Sequence, residues 1–274
     1  MTGRPTFAAV AGWPAAHSLS PAMMTAWLED AGIEGRYGVL EIPPERFADT
    51  VRLAAEIGMA GLNVTVPHKI AALSLADEVT DAARAVGAAN LLTFETGGRI
   101  RADNTDIAGI EAALAEDPGG PAVVVGAGGA ARAALYHLSR QSREVRIVNR
   151  TVDKAQALAA EFGLDARVMM KAGSSMMEGA GLVINATTLG MAGQPDLSPD
   201  LSPCAPEALV FDMVYAPLET PLLASARRAG LRTADGLTML IGQAVPSFEA
   251  FFGVRPPGTG RVRALLEARL EARS

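Results

Sequence analysis

Glycines at the end of a short apolar run carry the most specific chemical signal in the chain. Val123-Val124-Val125 leads into Gly126-Ala127-Gly128-Gly129-Ala130-Ala131-Arg132, and a helix-forming run, Ala133 to Ser139, follows at once. Strand, glycine turn and helix, in that order, are what a dinucleotide pyrophosphate requires. Gly126 permits the tight turn, Gly128 lets the backbone approach the phosphates, and Ala131 takes the third small position. The helix N-terminus offers N–H groups and the positive end of its dipole to the anion. A lone Gly-x-Gly also joins strands to helices for structural reasons. Here the flanking context favours a cofactor site, with Gly126, Ala127, Gly128, Gly129 and Ala130 around the phosphates.

The next strand refines that expectation. Glu144–Val148 leads into Asn149-Arg150-Thr151, about 23 residues beyond Gly126, where the adenosine ribose should lie. An NAD site usually places Asp or Glu there, to accept from the ribose 2′-hydroxyl. Asn149 is neutral, Arg150 is a bidentate phosphate donor, and Lys154 adds a second positive charge one helical turn on. The plain alternative makes Arg150 and Lys154 solvated helix-start residues. The pattern favours NADP(H).

Four further clusters exceed what packing asks for: Gly12 to Pro21, which includes His17, Ser18 and Ser20; Asn63-Val64-Thr65-Val66-Pro67-His68-Lys69; Asn90 with Asp103-Asn104-Thr105-Asp106; and Asp235 to Gln243. Each puts hydroxyls, amides or a lysine at a strand end or helix start, where open α/β sheets collect ligands. Taken singly, most have bland readings. Ser20 reads as an N-cap, Thr65 as a strand residue, Asn104 or Asp106 as a cap, and Gln243 as a polar helix residue. Lys69, directly after Val-Pro-His at a strand end, is harder to dismiss. His17 and His68 have no partner that the sequence names.

The elements that must position these residues alternate between strand and helix along the chain. Phe7–Ala11 reads as a strand, followed by a helix with Ser20 as N-cap, Pro21 as first residue and Gly32 as stop. A second helix starts at Pro44 and repeats Phe47, Val51, Ala54, Ala55 and Gly58 on one face. Residues 61–66 read as a strand halted by Pro67. Leu91–Phe94 and Arg99–Arg101 flank a hairpin turn. A helix follows Asn104, and the nucleotide-binding unit begins at Pro121. Later strands are expected at Leu182–Ile184 and Leu209–Phe211, with helices at Pro221–Ala229, Leu237–Phe252 and Gly260–Ala272. Met169, Met170, Met176 and Met177 read as core filling. Turn signals at Asp117–Gly120 and Asp235-Gly236 mark breaks, so the last two helices could return to the first domain.

Composition narrows the classes. With 274 residues, 49% hydrophobic and 20% charged, the chain suits two modest globular domains. A net charge of −6 argues against nucleic acid or an anionic membrane as partner. No run of about 18 apolar residues suggests a membrane span. The single cysteine, Cys204, excludes an internal disulfide, and the histidines lack metal-ligand spacing, so no metal and a reducing cytoplasm are expected.

At the clusters the sequence resembles the shikimate dehydrogenase family. Gly-x-Pro-x-x-His-Ser-x-Ser-Pro stands at residues 12–21, Asn-Val-Thr-Val-Pro-x-Lys at 63–69 and Asn-Thr-Asp at 104–106. Gly-Ala-Gly-Gly-Ala-x-Arg stands at 126–132, Asn-Arg-Thr at 149–151 and Asn-Ala-Thr at 185–187. Asp212-Met213-Val214-Tyr215, Thr220-Pro221-Leu222 and the Gly236 to Gln243 segment continue it. The pattern is broken where Leu91 follows Asn90 in place of Thr and Ile107 follows Asp106 in place of Gly. Trp13 fills a variable slot.

The resemblance implies an α/β protein of two domains with its site in a cleft. Residues 1–104 and 237–274 would bind substrate, and 105–236 would form a Rossmann-like NADP domain. It implies reversible NADPH-dependent reduction of 3-dehydroshikimate to shikimate, in the route to chorismate and aromatic amino acids, by a monomer or homodimer. Ser18, Ser20 and Tyr215 would hold the substrate carboxylate, while Thr65, Lys69, Asn90, Asp106 and Gln243 would meet the ring hydroxyls. Met213 and Gly236 would line the nicotinamide pocket. Thr187 and Asp81 fall at positions near the cofactor. The physical reading agrees on one pair: hydride reduction of a carbonyl builds negative charge on oxygen, and Lys69 beside Asp106 suits the delivery of a proton there. A quinate/shikimate dehydrogenase using NAD, and a catalytically silent ligand-sensing relative, are the rival readings.

Overall fold

The computed structural model describes residues 6–272, which divide into two compact units. Unit one holds the described residues up to Asp106 together with Gln243–Arg269; unit two holds Ile107–Gly242 and the described residues from Leu270.

Along the chain run β1 (Thr6–Gly12), α1 (Ser20–Ala31), β2 (Gly35–Glu41), a 3₁₀ turn (Pro44–Arg46), α2 (Phe47–Glu56), β3 (Gly61–Val64), α3 (Lys69–Leu75), β4 (Glu78–Val79), α4 (Asp81–Val86), β5 (Leu91–Phe94) and β6 (Ile100–Asp103). Then follow α5 (Asp106–Ala113), β7 (Ala122–Val125), α6 (Gly129–Ser139), β8 (Val145–Val148), α7 (Val152–Glu161), β9 (Ala166–Met169), α8 (Ser174–Met177), β10 (Leu182–Asn185), β11 (Leu209–Asp212), α9 (Pro221–Arg228), β12 (Arg232–Ala234), α10 (Gly236–Phe252) and α11 (Gly260–Glu271).

The sheet of unit one has the order β2-β1-β3-β5-β6-β4. β2, β1 and β3 run parallel, β5 is antiparallel to both β3 and β6, and β4 is parallel to β6. Helix α2 packs Phe47, Val51, Ala54 and Ala55 of the expected face onto Ala9, Ala11, Leu62 and Val64 of the sheet, whereas Gly58, expected on the same face, lies past the helix end with φ +84°. α10 returns to this unit, where Phe248 meets Trp27 of α1 edge-to-face at 5.6 Å. Trp27 Nε1 donates to Gly258 O at 2.6 Å, so the buried indole keeps its hydrogen bond.

Unit two carries a six-stranded, wholly parallel sheet in the order β12-β11-β10-β7-β8-β9. All four residues of β7, β8, β10 and β11 are buried, as strands covered on both faces require. β7 and β10 are neighbours although β8 and β9 intervene in sequence, so the strand order reverses beside β7. That is the switch point where such sheets bind ligands.

Several expectations are corrected. Leu19, not Ser20, occupies the N-cap of α1, and no side chain caps it; the N–H of Ser20 instead donates to Ser18 Oγ at 3.2 Å. The helix expected from Pro44 opens as a 3₁₀ turn and becomes α-helical only at Phe47, because consecutive prolines set the entry. β3 ends at Val64, leaving Thr65 and Val66 in the connection to α3. Met176 and Met177 are buried, but Met170 is 60% exposed and fills no core. Gly32 does stop α1, with φ +64°. Cys204 is half-buried, and burial pushes its thiol up to about 11, away from reactivity. Among the described residues no helix is long and apolar enough to cross a membrane, and no group of His, Cys, Asp or Glu could hold a metal.

Candidate active site

Unit one holds residues of all the polar clusters, at the C-terminal ends of β1 and β3, just before β5, at the start of α5 and, with Gln243, in α10. Lys69 opens α3, and Asp106 opens α5. Lys69 Nζ lies 2.5 Å from Asp106 Oδ2, with side-chain exposures of 17% and 6%. The other oxygen, Oδ1, accepts from Asn90 Nδ2 at 2.8 Å. Asn90 also donates to Gln243 Oε1 at 3.3 Å, and its own Oδ1 accepts from the Thr105 N–H at 2.7 Å. The Thr105 hydroxyl sits 3.2 Å from Asn90 Oδ1 and 3.3 Å from Gln243 Oε1. Asn104 Oδ1 accepts from the Asp106 N–H at 3.0 Å, fixing the turn from which the carboxylate projects. Lys69, Asn90, Asp106 and Gln243, distant in sequence, are thus one hydrogen-bonded group.

Behind this group lies a buried support. Asn63 Nδ2 donates to Ser247 Oγ at 2.8 Å, and Tyr37 donates to Asn63 Oδ1 at 2.7 Å. Burial pushes the Tyr37 phenol far up, so it acts as a neutral donor. His68 is structural: its ring stacks on Phe47 at 4.3 Å, and Nε2 lies 2.7 Å from Ile42 O.

Ser18 belongs to the loop between β1 and α1, and Ser20 opens α1. This loop runs beside the Thr65 segment, with the Trp13 N–H donating to Val66 O at 3.0 Å and the Thr65 N–H to Ala11 O at 2.9 Å. Ser18 and Thr65 are half-buried and Ser20 is buried. Glu41, at the end of β2, accepts from the N–H groups of Ala15 and Ala16 at 2.9 and 3.1 Å. Asp81 is exposed in the first turn of α4, in unit one and so not in the unit that carries the glycine turn.

In unit two Gly126 has φ +114°, and a Cβ there would stand 3.0 Å from Ala186 O and 2.9 Å from Thr187 Cγ2. Glycine is therefore required twice over, and Thr187 is its neighbour. Gly128 and Gly129 differ: their φ is ordinary, and a Cβ on either would meet nothing within 4 Å. Neither backbone strain nor packing asks for these glycines. Open backbone at the start of α6 is the cradle that a pyrophosphate fits. The Gly126 N–H donates to Val148 O at 2.8 Å, which sets Asn149 beside the turn. Asn149 Nδ2 donates to Thr151 O at 2.7 Å, while Arg150, Thr151 and Lys154 are exposed just before and within α7. Two guanidinium or ammonium groups at this place suit a ribose phosphate. Arg132, whose partner had no signal in the sequence, pairs with Glu161 and lies over the Phe162 ring at 5.5 Å.

A second network ties the strand ends of this unit together. Asp212 Oδ1 accepts from Asn185 Nδ2 at 2.8 Å and from the Val214 N–H at 3.0 Å, and Oδ2 accepts from the Thr220 hydroxyl at 2.6 Å. Burial raises the Asp212 carboxyl above its ordinary value, against these bonds. Asn185 Oδ1 holds both the N–H and the hydroxyl of Thr187. A Cβ at Gly236 would overlap the backbone of Met213 and Val214, so Met213 and Gly236 are neighbours, and Tyr215 follows, half-buried.

A parallel sheet with a glycine turn at its switch point, in a chain that also holds a lysine–carboxylate pair, defines an α/β dehydrogenase of the nicotinamide-dependent kind. The comparisons make the class particular. The shikimate dehydrogenase substrate binding domain matches residues 10–92, the shikimate/quinate 5-dehydrogenase domain 115–191, and the shikimate 5′-dehydrogenase C-terminal domain 236–267. The NADP(+) shikimate dehydrogenase of Rhodopseudomonas palustris (strain HaA2) is 50% identical over 277 residues, covering 98% of each chain. That of Methylobacterium radiotolerans is 49% identical, over 95% of this chain and 96% of the relative. A shikimate 5-dehydrogenase from Thermus thermophilus, solved in complex with NADP(H) and shikimate, superposes with a TM-score of 0.85 at 35% identity, covering 97% of this chain and 99% of its own. The chain belongs to the shikimate dehydrogenase family.

Proposed function

We propose that the protein catalyses the reversible NADPH-dependent reduction of 3-dehydroshikimate to shikimate, a step towards chorismate and aromatic amino acids. The observation that carries this reading is the Lys69–Asp106 pair at 2.5 Å, held by Asn90 and sheltered from bulk water. Bound NADPH would supply the hydride. The chain's own task is to place the carbonyl and to meet the negative charge that grows on its oxygen. Lys69 Nζ carries the proton for that oxygen, and Asp106 keeps the ammonium oriented. In the oxidative direction the same nitrogen takes the proton back.

Around that pair, Ser18, Ser20 and Tyr215 hold the substrate carboxylate, and Thr65, Lys69, Asn90, Asp106 and Gln243 meet the ring hydroxyls. Binding an anion through neutral hydroxyls works when several share the charge. On the cofactor side, Gly126, Ala127, Gly128, Gly129 and Ala130 cradle the pyrophosphate. Asn149, Arg150, Thr151 and Lys154 take the ribose 2′-phosphate, and Thr187, Met213, Gly236 and Asp81 are the remaining cofactor residues. Residues 1–104 and 237–274 form the substrate domain and 105–236 the NADP domain. We place the enzyme in the cytoplasm, as a monomer or homodimer.

The deciding experiment mixes the protein with NADPH and 3-dehydroshikimate and follows loss of NADPH absorbance, with NADH and quinate as controls. Turnover that prefers NADPH and shikimate-series substrates is expected. Efficient NAD reduction with quinate would overturn the assignment in favour of a quinate enzyme, and binding without turnover would make the protein a sensor.

A further inference from the structure

We infer that Glu41 is a positioning residue for substrate binding: its carboxylate fixes the loop that carries Ser18. The inference rests on the reading of Ser18 as a carboxylate ligand. Glu41 closes β2, in register with Gly12 at the end of β1, where the serine loop departs. The Ile42 N–H donates to Gly12 O at 3.0 Å, so the two strand ends stay together as the loop leaves. From there one oxygen, Glu41 Oε1, accepts the successive N–H groups of Ala15 and Ala16. Adjacent N–H groups that point at one place form an anion-binding concavity, and here the chain fills it with its own carboxylate.

The consequence passes along the loop by further bonds. The Ser18 N–H donates to Ala15 O at 3.0 Å, which closes the turn that Glu41 holds. Ser18 Oγ then accepts the N–H of Ser20 at the start of α1. A serine oxygen that accepts on one side directs its own O–H elsewhere, which is the orientation a carboxylate ligand needs. Glu41, Ala15, Ser18 and Ser20 form one chain of bonds from the sheet to the helix. The bonds from Ala15 and Ala16, and secondarily the nearby His17, hold the Glu41 carboxyl below its ordinary value. It stays ionised in the neutral range, where charge-assisted bonds are the stronger kind.

Glu41→Ala and Glu41→Gln, measured in the full-length enzyme, test this. Glu41→Ala should raise the KM for shikimate about tenfold, the worth of one charged hydrogen bond at the low end, with kcat and the KM for NADP(+) within about twofold. Glu41→Gln keeps an acceptor oxygen without the charge, and its KM should fall between. The methyl ester of shikimate, which lacks the carboxylate, should bind wild type and Glu41→Ala equally, read as an inhibition constant. An unchanged KM for shikimate in Glu41→Ala overturns the inference. So does an equal loss for acid and ester, which would make Glu41 a general support of the fold. If the wild type turns over neither shikimate nor 3-dehydroshikimate, the functional reading itself fails, and that result is distinct from both.

Discussion

Replacing Lys69 with alanine removes the proposed proton donor and leaves its partner in place, and the geometry sets the expected size of the effect. Asp106 loses one contact at Oδ2 but keeps Asn90 on Oδ1. Because Lys69 is 17% exposed, truncation opens a path by which water reaches the abandoned oxygen. The stability loss should therefore fall below the roughly 3–5 kcal/mol that follows when a fully buried pair loses one member. The catalytic loss is larger. A positioned general acid is worth about 10²–10⁴ in rate, or about 2.7–5.4 kcal/mol of barrier. We expect kcat to fall by that factor in both directions, while the KM for shikimate changes far less because the carboxylate anchors remain. Asp106→Asn is the companion. Its amide nitrogen must face either Lys69 Nζ or Asn90 Nδ2, so each orientation sets one donor against another. That variant forfeits a charge-assisted bond of about 1.5–3 kcal/mol, and the double variant should be little worse than the poorer single one. Steady-state kinetics in both directions, with melting temperatures to show that the variants fold, decide the matter. A Lys69→Ala enzyme with near-normal kcat refutes the assignment; so does a raised KM at constant kcat, the mark of a ground-state contact.

Arg150→Ala should weaken NADPH binding by about 10- to 150-fold and leave NADH nearly unaffected, since only the 2′-phosphate is lost as a partner; fluorescence titration of both cofactors checks it, and equal losses would move Arg150 away from that phosphate. Ser18→Ala and Ser20→Ala should each raise the KM for shikimate at constant NADPH affinity. Ser20→Ala should do so without the loss of about 1 kcal/mol that deleting a helix cap costs, because Ser20 caps nothing. Asp212→Asn should change how stability depends on pH. Burial raises the carboxyl above 3.8, so the folded state binds more protons than the unfolded one in the window just above that value, and wild-type stability falls as pH rises through it. Melting temperatures of wild type and variant should diverge across that acid window and run parallel above it; parallel curves throughout would count against a carboxyl raised by burial. Gly126→Ala should destabilise unit two and abolish cofactor binding, because a Cβ at φ +114° meets the Ala186 carbonyl and Thr187; retained NADPH binding in a folded variant would separate the turn from the cofactor.

What the sequence disclosed followed from local rules. β7, Gly126 and α6 were legible because a buried parallel strand, a left-handed glycine and a helix start each have a residue signature, and the three are contiguous. The polar clusters were legible as clusters, since hydroxyls, amides and a lysine gather at the strand ends and helix starts where open α/β sheets collect ligands. Their wiring was not. Asn90 reaches Asp106, Thr105 and Gln243 because β5 and β6 form a hairpin and α10 returns to unit one; turn signals allowed both, but no local pattern states which side chains they bring together. Ser20 had the composition of a cap, yet Ser18 took the bond, because side-chain geometry chose between two serines that composition cannot distinguish. β2 escaped notice: Gly38 and the charged Arg36 and Glu41 interrupt its apolar alternation, and it lies at the sheet edge with one neighbour. That omission hid Tyr37 and Glu41 together. Tyr37 holds Asn63 and Glu41 holds Ala15 and Ala16, and a supporting residue is defined by what it holds, which is a property of the fold. Ligand-facing chemistry is constrained at each position by the reaction, so it repeats as motif. Support can be supplied by any donor or acceptor that reaches, so it is legible only once the chain is folded.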